Sequence, residues 1–200
     1  IAGHSSGEYA ALMAAGIIGK TELEKYFHFD FRENPRHRDI KKQIAPMKLM
    51  AVGAPDLSAI SVLFSENQGE LFVAMDNCPH QVILCGPHAA IDDAHKHLNG
   101  EGAICSFLPF DYPYHTPLYA PFCEHSLRFV NSLEIQTPKV EIFSCALAGP
   151  FPKDADAIRK TMVEQYVRPV RFRETVEALY KSGARVFVEV GPKGILTGFV

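Results

Sequence analysis

The sequence predicts an α/β protein in two parts: a compact insert inside a larger α/β region built from the segments on either side of it. Three observations lead there. Residues 47–110 alternate strand and helix signals in the order β-α-β-β-α-β, the ferredoxin-like split unit of roughly 60 residues. The chain opens on a strand, a glycine-rich turn and a helix. From residue 111 onward helices and short strands alternate again, and no internal repeat or low-complexity tract interrupts them.

Each element has its own reason. Ile1-Ala2 reads as the end of a buried strand, which needs neighbours, and with no Met before it the opening predicts an internal piece of a longer polypeptide whose N-terminal strands lie upstream. Glu8 to Ala15 is rich in strong helix formers and ends at Gly16. Thr21 with Glu24 three residues on fits a capping box for a second helix carrying Leu23, Tyr26 and Phe27. Phe27 to Arg32 alternates, Pro35 stops any helix, and residues 33–46 read as a polar surface loop with at most a short helix. In the insert, strands are expected at Lys48–Val52, Leu71–Met75, Gln81–Cys85 and Ala103–Leu108, with helices at Asp56–Ser65 and Ala89–Leu98. Beyond it, Thr116 is placed to cap a long helix over Leu118–Asn131. A strand at Val140–Ser144, helices at Asp156–Tyr166 and Phe172–Ser182, a strand at Arg185–Val190 and the start of a helix at Gly194–Val200 follow.

Composition narrows the function classes. The 200 residues are 47% hydrophobic and 22% charged, enough apolar material for a core. The net charge of −3 and the lack of a basic block argue against nucleic acid. The longest apolar run, Ala10–Ile18, is far too short for a membrane span, and no secretory leader is visible. The five cysteines, Cys78, Cys85, Cys105, Cys123 and Cys145, form no CxxC pair, so free thiols in a reducing compartment, the cytoplasm, are expected and a metal site is not.

Gly3-His4-Ser5-Ser6-Gly7 fits G-x-S-x-G with a strand before it and a helix after it, the context of a nucleophile elbow. So tight a turn tolerates little side chain at its flanks. It projects the Ser5 hydroxyl at a helix N-terminus, where partial positive charge favours an oxyanion and the Ser6 N–H can donate to it. Ser5 needs a base, and there are nine histidines. His4 is adjacent but points away on a sharp turn; His28 and His37 fall in or beside the loop; His80, His88, His95 and His97 belong to the insert's surface. His115 is the candidate base, because Asp111-Tyr112-Pro113-Tyr114-His115-Thr116-Pro117 lies where the insert returns the chain to the larger region, and such creases form pockets.

These residues resemble a known family. Gly3-His4-Ser5-Ser6-Gly7-Glu8-Tyr9-Ala10-Ala11 resembles the G-H-S-x-G-E-x-A-A elbow of acyltransferase domains in type I polyketide synthases, relatives of malonyl-CoA:acyl carrier protein transacylases. Asn77-Cys78-Pro79-His80-Gln81-Val82-Ile83, Tyr112-Pro113-Tyr114-His115, Pro169-Val170-Arg171-Phe172, and Glu189-Val190-Gly191-Pro192 with Leu196-Thr197-Gly198 are similar to that family's further landmarks, in order along nearly the whole chain. The resemblance implies an α/β-hydrolase-like large subdomain, residues 1–46 and 111–200, and a ferredoxin-like small subdomain, residues 47–110. It implies a Ser5–His115 dyad that moves an acyl group from acyl-CoA to the phosphopantetheine thiol of an acyl carrier protein, with no bound cofactor and no metal. It implies a neighbouring ketosynthase domain in the same chain. Ser6, Arg32, Asn77, Tyr112 and Tyr114 become candidate substrate-binding residues, and a backbone carbonyl near Arg168 is expected to orient His115.

The departures matter as well. Malonyl-type members carry a carboxylate-binding Arg about 25 residues past the serine; that position here is Asp30, and Arg32 could take the role through a two-residue shift. Tyr112-Pro113-Tyr114-His115 matches neither common specificity signature of the family, so the acyl group stays open. Two other readings also remain open. A serine hydrolase or thioesterase could use Asp111 and His115, and a degenerate, non-catalytic scaffold would need neither.

Overall fold

The computed structural model describes residues 1–28, 35–54, 60 and 69–200. Over these residues it is an α/β structure with two sheets, each mixing parallel and antiparallel pairs. Strand β1 (Ala2–Gly3) pairs parallel with β6 (Phe143–Ser144), which pairs antiparallel with β7 (Gly149–Pro150). The second sheet has the order β5-β2-β4-β3-β8. Within it β2 (Met47–Gly53), β3 (Phe72–Cys78), β4 (Gln81–Pro87) and β5 (Ile104–Phe107) are antiparallel neighbours. The edge strand β8 (Val170–Arg171) joins β3 in parallel, Met75 opposite Val170 and Asp76 opposite Arg171.

Burial explains the helices. Helix α1 (Gly7–Ala14) buries Tyr9, Ala11 and Leu12 against Phe129 and Val130 of α5 (Cys123–Asn131) and Ile158 and Met162 of α6 (Ala155–Glu164). Helix α4 (His88–Gly100) lays Ile91, Ala94 and Leu98 over Met50, Val52, Val82 and Leu84 of the larger sheet. Helix α2 (Lys20–His28), α3 (Pro35–Gln43) and α7 (Phe172–Lys181) also lie among the described residues. Among the described residues no helix is long and apolar enough to cross a membrane. All five cysteines are free.

Several expectations change. Pro35 opens a nine-residue helix within residues 33–46, the stretch expected to be a loop with at most a short helix, because a proline at the first helical position removes only an N–H that has no intrahelical acceptor. The helix expected over Leu118–Asn131 is split. Pro121 has no N–H to donate, so Pro117–Phe122 winds as a 3-10 helix, and the Thr116 hydroxyl donates to the Pro113 carbonyl instead of capping. Thr21 falls inside α2, whose first turn closes through the Glu22 N–H on the Gly19 carbonyl. The strand of Val140–Ser144 shrinks to the two residues that β1 can pair. Residues 185–190 form no strand. None of the described strands pairs with them, and Val186, Val188 and Val190 stand 81–98% exposed. The final expected helix is a short 3-10 turn, Thr197–Phe199. The expected Asp56–Ser65 helix and the Phe27–Arg32 alternation fall largely outside the described residues.

Helix α6 has a cap that the sequence reading passed over. Asp154 Oδ1 accepts from the Asp156 and Ala157 N–H groups at 3.1 and 2.9 Å. Replacing it removes acceptors for two otherwise unpaired donors. Asp154→Ala is expected to lower unfolding free energy by about 1 kcal/mol in denaturant titration, with the denaturant slope unchanged.

Candidate active site

The site starts at the join between β1 and α1. Gly3 has no room for a side chain: an added Cβ would sit 2.3 Å from the Gly7 carbonyl carbon and 2.4 Å from the Glu8 nitrogen. The chain therefore turns back on itself at once. The Gly7 N–H donates to the His4 carbonyl and the Glu8 N–H to the Ser5 carbonyl, both at 2.9 Å. Ser5 bears the strain, at φ 53°. That left-handed conformation costs a serine of order 1–3 kcal/mol and persists only where the surroundings enforce it. It lifts the hydroxyl off the strand end toward the start of α1. Ser6, the N-cap of α1, makes no side-chain capping bond.

The opposing group comes from 110 residues away. His115 also has a left-handed backbone, φ 62°, and is 4% exposed. Two consecutive carbonyls at the end of α6 hold it. The Tyr166 carbonyl accepts its backbone N–H at 2.8 Å, and the Gln165 carbonyl accepts from Nδ1 at 2.8 Å. A carbonyl can only accept, so Nδ1 carries the proton and the neutral ring presents a bare Nε2. That Nε2 lies 2.7 Å from Ser5 Oγ and accepts its hydroxyl proton.

The orienting carbonyl is thus three residues earlier than the stretch around Arg168 expected from the sequence; the Arg168 backbone contributes a weaker hydrogen-bonding influence. Asp111 does not complete a triad. It pairs with Lys41, and the Nδ1 position that a carboxylate would occupy is taken by Gln165.

Burial sets the charge states. Desolvation lowers the His115 pKa from its ordinary 6.5 to about 4, against the raising influence of the Gln165 carbonyl. His115 is therefore an uncharged base at neutral pH. Its acceptor, Gln165, is the C-cap of α6, so the negative end of a helix faces the imidazole while the positive end of α1 faces the serine. The Cys145 thiol, whose Sγ donates to the Gly3 carbonyl at 3.1 Å, is pushed up to about 12 by burial and stays protonated.

The other candidates distribute differently. Asn77 is buried and acts on the elbow from the second sheet: its Oδ1 accepts from His4 Nε2 at 2.8 Å, and its Nδ2 donates to Gln81 Oε1 at 2.9 Å. Burial lowers the His4 pKa, and its ring packs edge-on to Phe172. Tyr112 is buried beside Phe122, and Tyr114 stacks on Tyr119 at 5.0 Å. Neither lines the cleft at Ser5, which is formed by Ser5, Glu8, His115, Cys145, Ala146, Gln165, Pro169 and Val170. Arg32 lies outside the described residues. Among the described residues no cluster of side chains could hold a metal ion.

Two groups escaped the sequence reading. The Gln165 carbonyl carries no side-chain signal, since every residue has one. Glu8 did leave a signal, a carboxylate directly before the apolar run Tyr9-Ala10-Ala11-Leu12.

The acyl transferase domain family matches residues 1–200. The chain is similar to the malonyl CoA-acyl carrier protein transacylase of Bacillus subtilis, 28% identical over 204 residues, covering 100% of this chain and 62% of that protein. Polyketide synthase GfsA of Streptomyces halstedii is 27% identical over 200 residues, covering 100% of this chain and 3% of that protein. The solved malonyl CoA-acyl carrier protein transacylase of Coxiella burnetii superposes with a TM-score of 0.83 at 29% identity, covering 99% of this chain and 62% of that one. The chain thus spans less than two thirds of the length of these relatives.

Two expected outcomes come from this geometry. Ser5→Gly relieves the left-handed strain but removes the hydroxyl bonded to His115 Nε2 and frees the unfolded backbone, so the terms offset and the unfolding free energy is expected to stay within about 1 kcal/mol of the native value in denaturant titration. The buried His115 binds its proton less well than the unfolded chain does, so its contribution is complete above pH 6.5 and is lost as pH falls from 6.5 to about 4. The unfolding free energy of the native chain minus that of His115→Ala should rise by about 3 kcal/mol across that window, as read from denaturant titrations at successive pH values.

Proposed function

This chain belongs to the acyl transferase domain family, and from that premise we propose that it transfers an acyl group from acyl-CoA, through an ester on Ser5, to the phosphopantetheine thiol of an acyl carrier protein. The single observation that carries the reading is the 2.7 Å contact between Ser5 Oγ and the unprotonated Nε2 of His115. The names of the relatives, malonyl CoA-acyl carrier protein transacylases and a polyketide synthase, supply the class of donor and acceptor. Malonyl is accordingly the first acyl group to try.

In the first half-reaction the Ser5 hydroxyl proton passes to His115 Nε2 as Oγ attacks the thioester carbonyl. The oxyanion forms at the N-terminus of α1, within reach of the Ser6 N–H. The C–S bond then breaks, and the CoA sulfur takes the proton from Nε2. In the second half the carrier thiol gives its proton to Nε2, its sulfur attacks the acyl-serine carbonyl, and the C–O bond breaks as Oγ recovers the proton.

The domain reading goes with this function. Residues 47–110 form a ferredoxin-like subdomain set into an α/β-hydrolase-like subdomain of residues 1–46 and 111–200. The strand order β5-β2-β4-β3, with α4 crossing between β4 and β5, supports the smaller unit. An acyl carrier protein and a ketosynthase domain in the same polypeptide are the partners that belong to this reading.

Intact-protein mass spectrometry after mixing with a panel of acyl-CoAs is the test. The native chain is expected to gain the mass of one acyl group, and Ser5→Ala none. His115→Ala is expected to load about 10²–10⁴-fold more slowly, the usual worth of a positioned general base. CoA release without an adduct would instead indicate a hydrolase, and neither adduct nor release a scaffold.

A further inference from the structure

Glu8 takes no part in the steps above, yet its carboxyl is fastened beneath the elbow. It stands in the first turn of α1, is 1% exposed, and donates its N–H to the Ser5 carbonyl at 2.9 Å. Oε1 accepts from the Cys145 N–H at 2.7 Å and from Ser144 Oγ at 3.1 Å. The side chain lines the same cleft as Ser5 and His115. Among the described residues no lysine or arginine pairs with it. Arg168 and Arg171, on the stretch that closes the cleft, are held by Glu164 and Glu174.

The dyad has a deficit that such a group can meet. Whenever His115 accepts the Ser5 proton, an imidazolium forms in a buried place. A triad would set an anion on Nδ1, and a buried cation without one is costly. Here Nδ1 meets an uncharged carbonyl. We propose that Glu8 is a positioning residue for the reaction, its ionised carboxylate held on the β6 backbone as the counter-charge that stabilises the His115 imidazolium across the cleft. This rests on the acyl-transfer reading of Ser5 and His115. Glu8 exchanges no proton with substrate.

The neighbours make Glu8 the group whose charge changes near neutrality. Facing it are Ser144, which does not titrate, Cys145, whose thiol is pushed up to about 12, and His115, lowered to about 4; His4, on the elbow, is lowered as well. Burial raises the Glu8 carboxyl to about 7, against hydrogen bonds from Cys145, Ser144 and Ala146 that favour the ionised form. Reactivity of Ser5 should therefore rise once near pH 4, as His115 loses its proton, and again near pH 7, as Glu8 ionises.

The experiment follows the second-order rate at which a fluorophosphonate labels Ser5 (the Oγ–P bond forms, fluoride leaves), beside loading from malonyl-CoA, across pH. In the native chain the labelling rate is expected to climb about tenfold between about pH 6 and about pH 8.5. Glu8→Gln should match it at the lower end and stay flat. Ser144→Ala removes one hydrogen bond to the ionised form and should move the midpoint upward. A Glu8→Gln rate lowered equally at every pH, with the step retained, would mean a merely structural role and overturn the inference. So would an unshifted midpoint in Ser144→Ala, which also decides the matter if Glu8→Gln does not fold. Labelling that shows the step, without loading from malonyl-CoA or any other member of the acyl-CoA panel, supports the counter-charge and refutes acyl transfer; no labelling at any pH refutes both.

Discussion

One hydrogen bond between two strained residues organises this molecule. Ser5 and His115 both adopt left-handed backbones that neither residue type favours, and they meet at 2.7 Å across 110 residues of chain. Neither conformation can be held locally. Ser5 is held because Gly3 lets the first turn of α1 press onto β1, and because β1 pairs with β6. His115 is held because the end of α6 offers two carbonyls in succession. The core under α1, α5 and α6 fixes the distance between these two anchors, with Tyr9 and Leu12 packed against Phe129, Ile158 and Met162. Rigid packing of that kind transmits a shift of one element to its neighbours, which is what a contact of this precision requires.

The electrostatics follow from burial more than from charge pairing. Desolvation takes His115 down and Glu8 up, so each favours its uncharged form in the folded state. Their effects on stability have opposite signs. The folded chain binds less proton than the unfolded chain at His115 between about pH 4 and 6.5, so stability rises with pH there. At Glu8 it binds more between 4.5 and about 7, so stability falls. The windows overlap and the two slopes largely cancel. A site that buries both an acid and a base can therefore be nearly neutral to the pH dependence of folding while each group, taken alone, is strongly perturbed.

Much of this was legible in the sequence, for identifiable reasons. The elbow announces itself because its geometry demands small residues at fixed offsets, and His115 because, among nine histidines, it alone sits in the stiff aromatic run Tyr112-Pro113-Tyr114-His115. The carbonyl that orients His115 was legible only to within a few residues, since Gln165 contributes a group that every residue possesses. Pro35 and Pro121 have different outcomes because the effect of a proline depends on where in a helix it falls: Pro35 opens one, and Pro121, inside the expected Leu118–Asn131 helix, splits it. Tyr112 and Tyr114 looked like cleft walls from their nearness to His115 in sequence. A left-handed residue reverses the chain between neighbours, and the two rings pack with Tyr119 and Phe122 instead.

The second sheet is coupled to Ser5 more tightly than its separate core suggests. Strand β3 pairs with β8, Arg173 of α7 grips Asp76 of β3 through Nη2 at 2.7 Å, and the next residue, Asn77, holds His4. His4 immediately precedes Ser5. The elbow is therefore braced on one side by β6 through Glu8 and on the other by β3 through Asn77. A strained turn braced from two sheets cannot relax toward either without breaking a buried hydrogen bond, and each such break leaves a polar group unpaired in a dry interior. That penalty, more than any propensity of the turn itself, is what keeps Ser5 in its unfavourable conformation and its hydroxyl on His115.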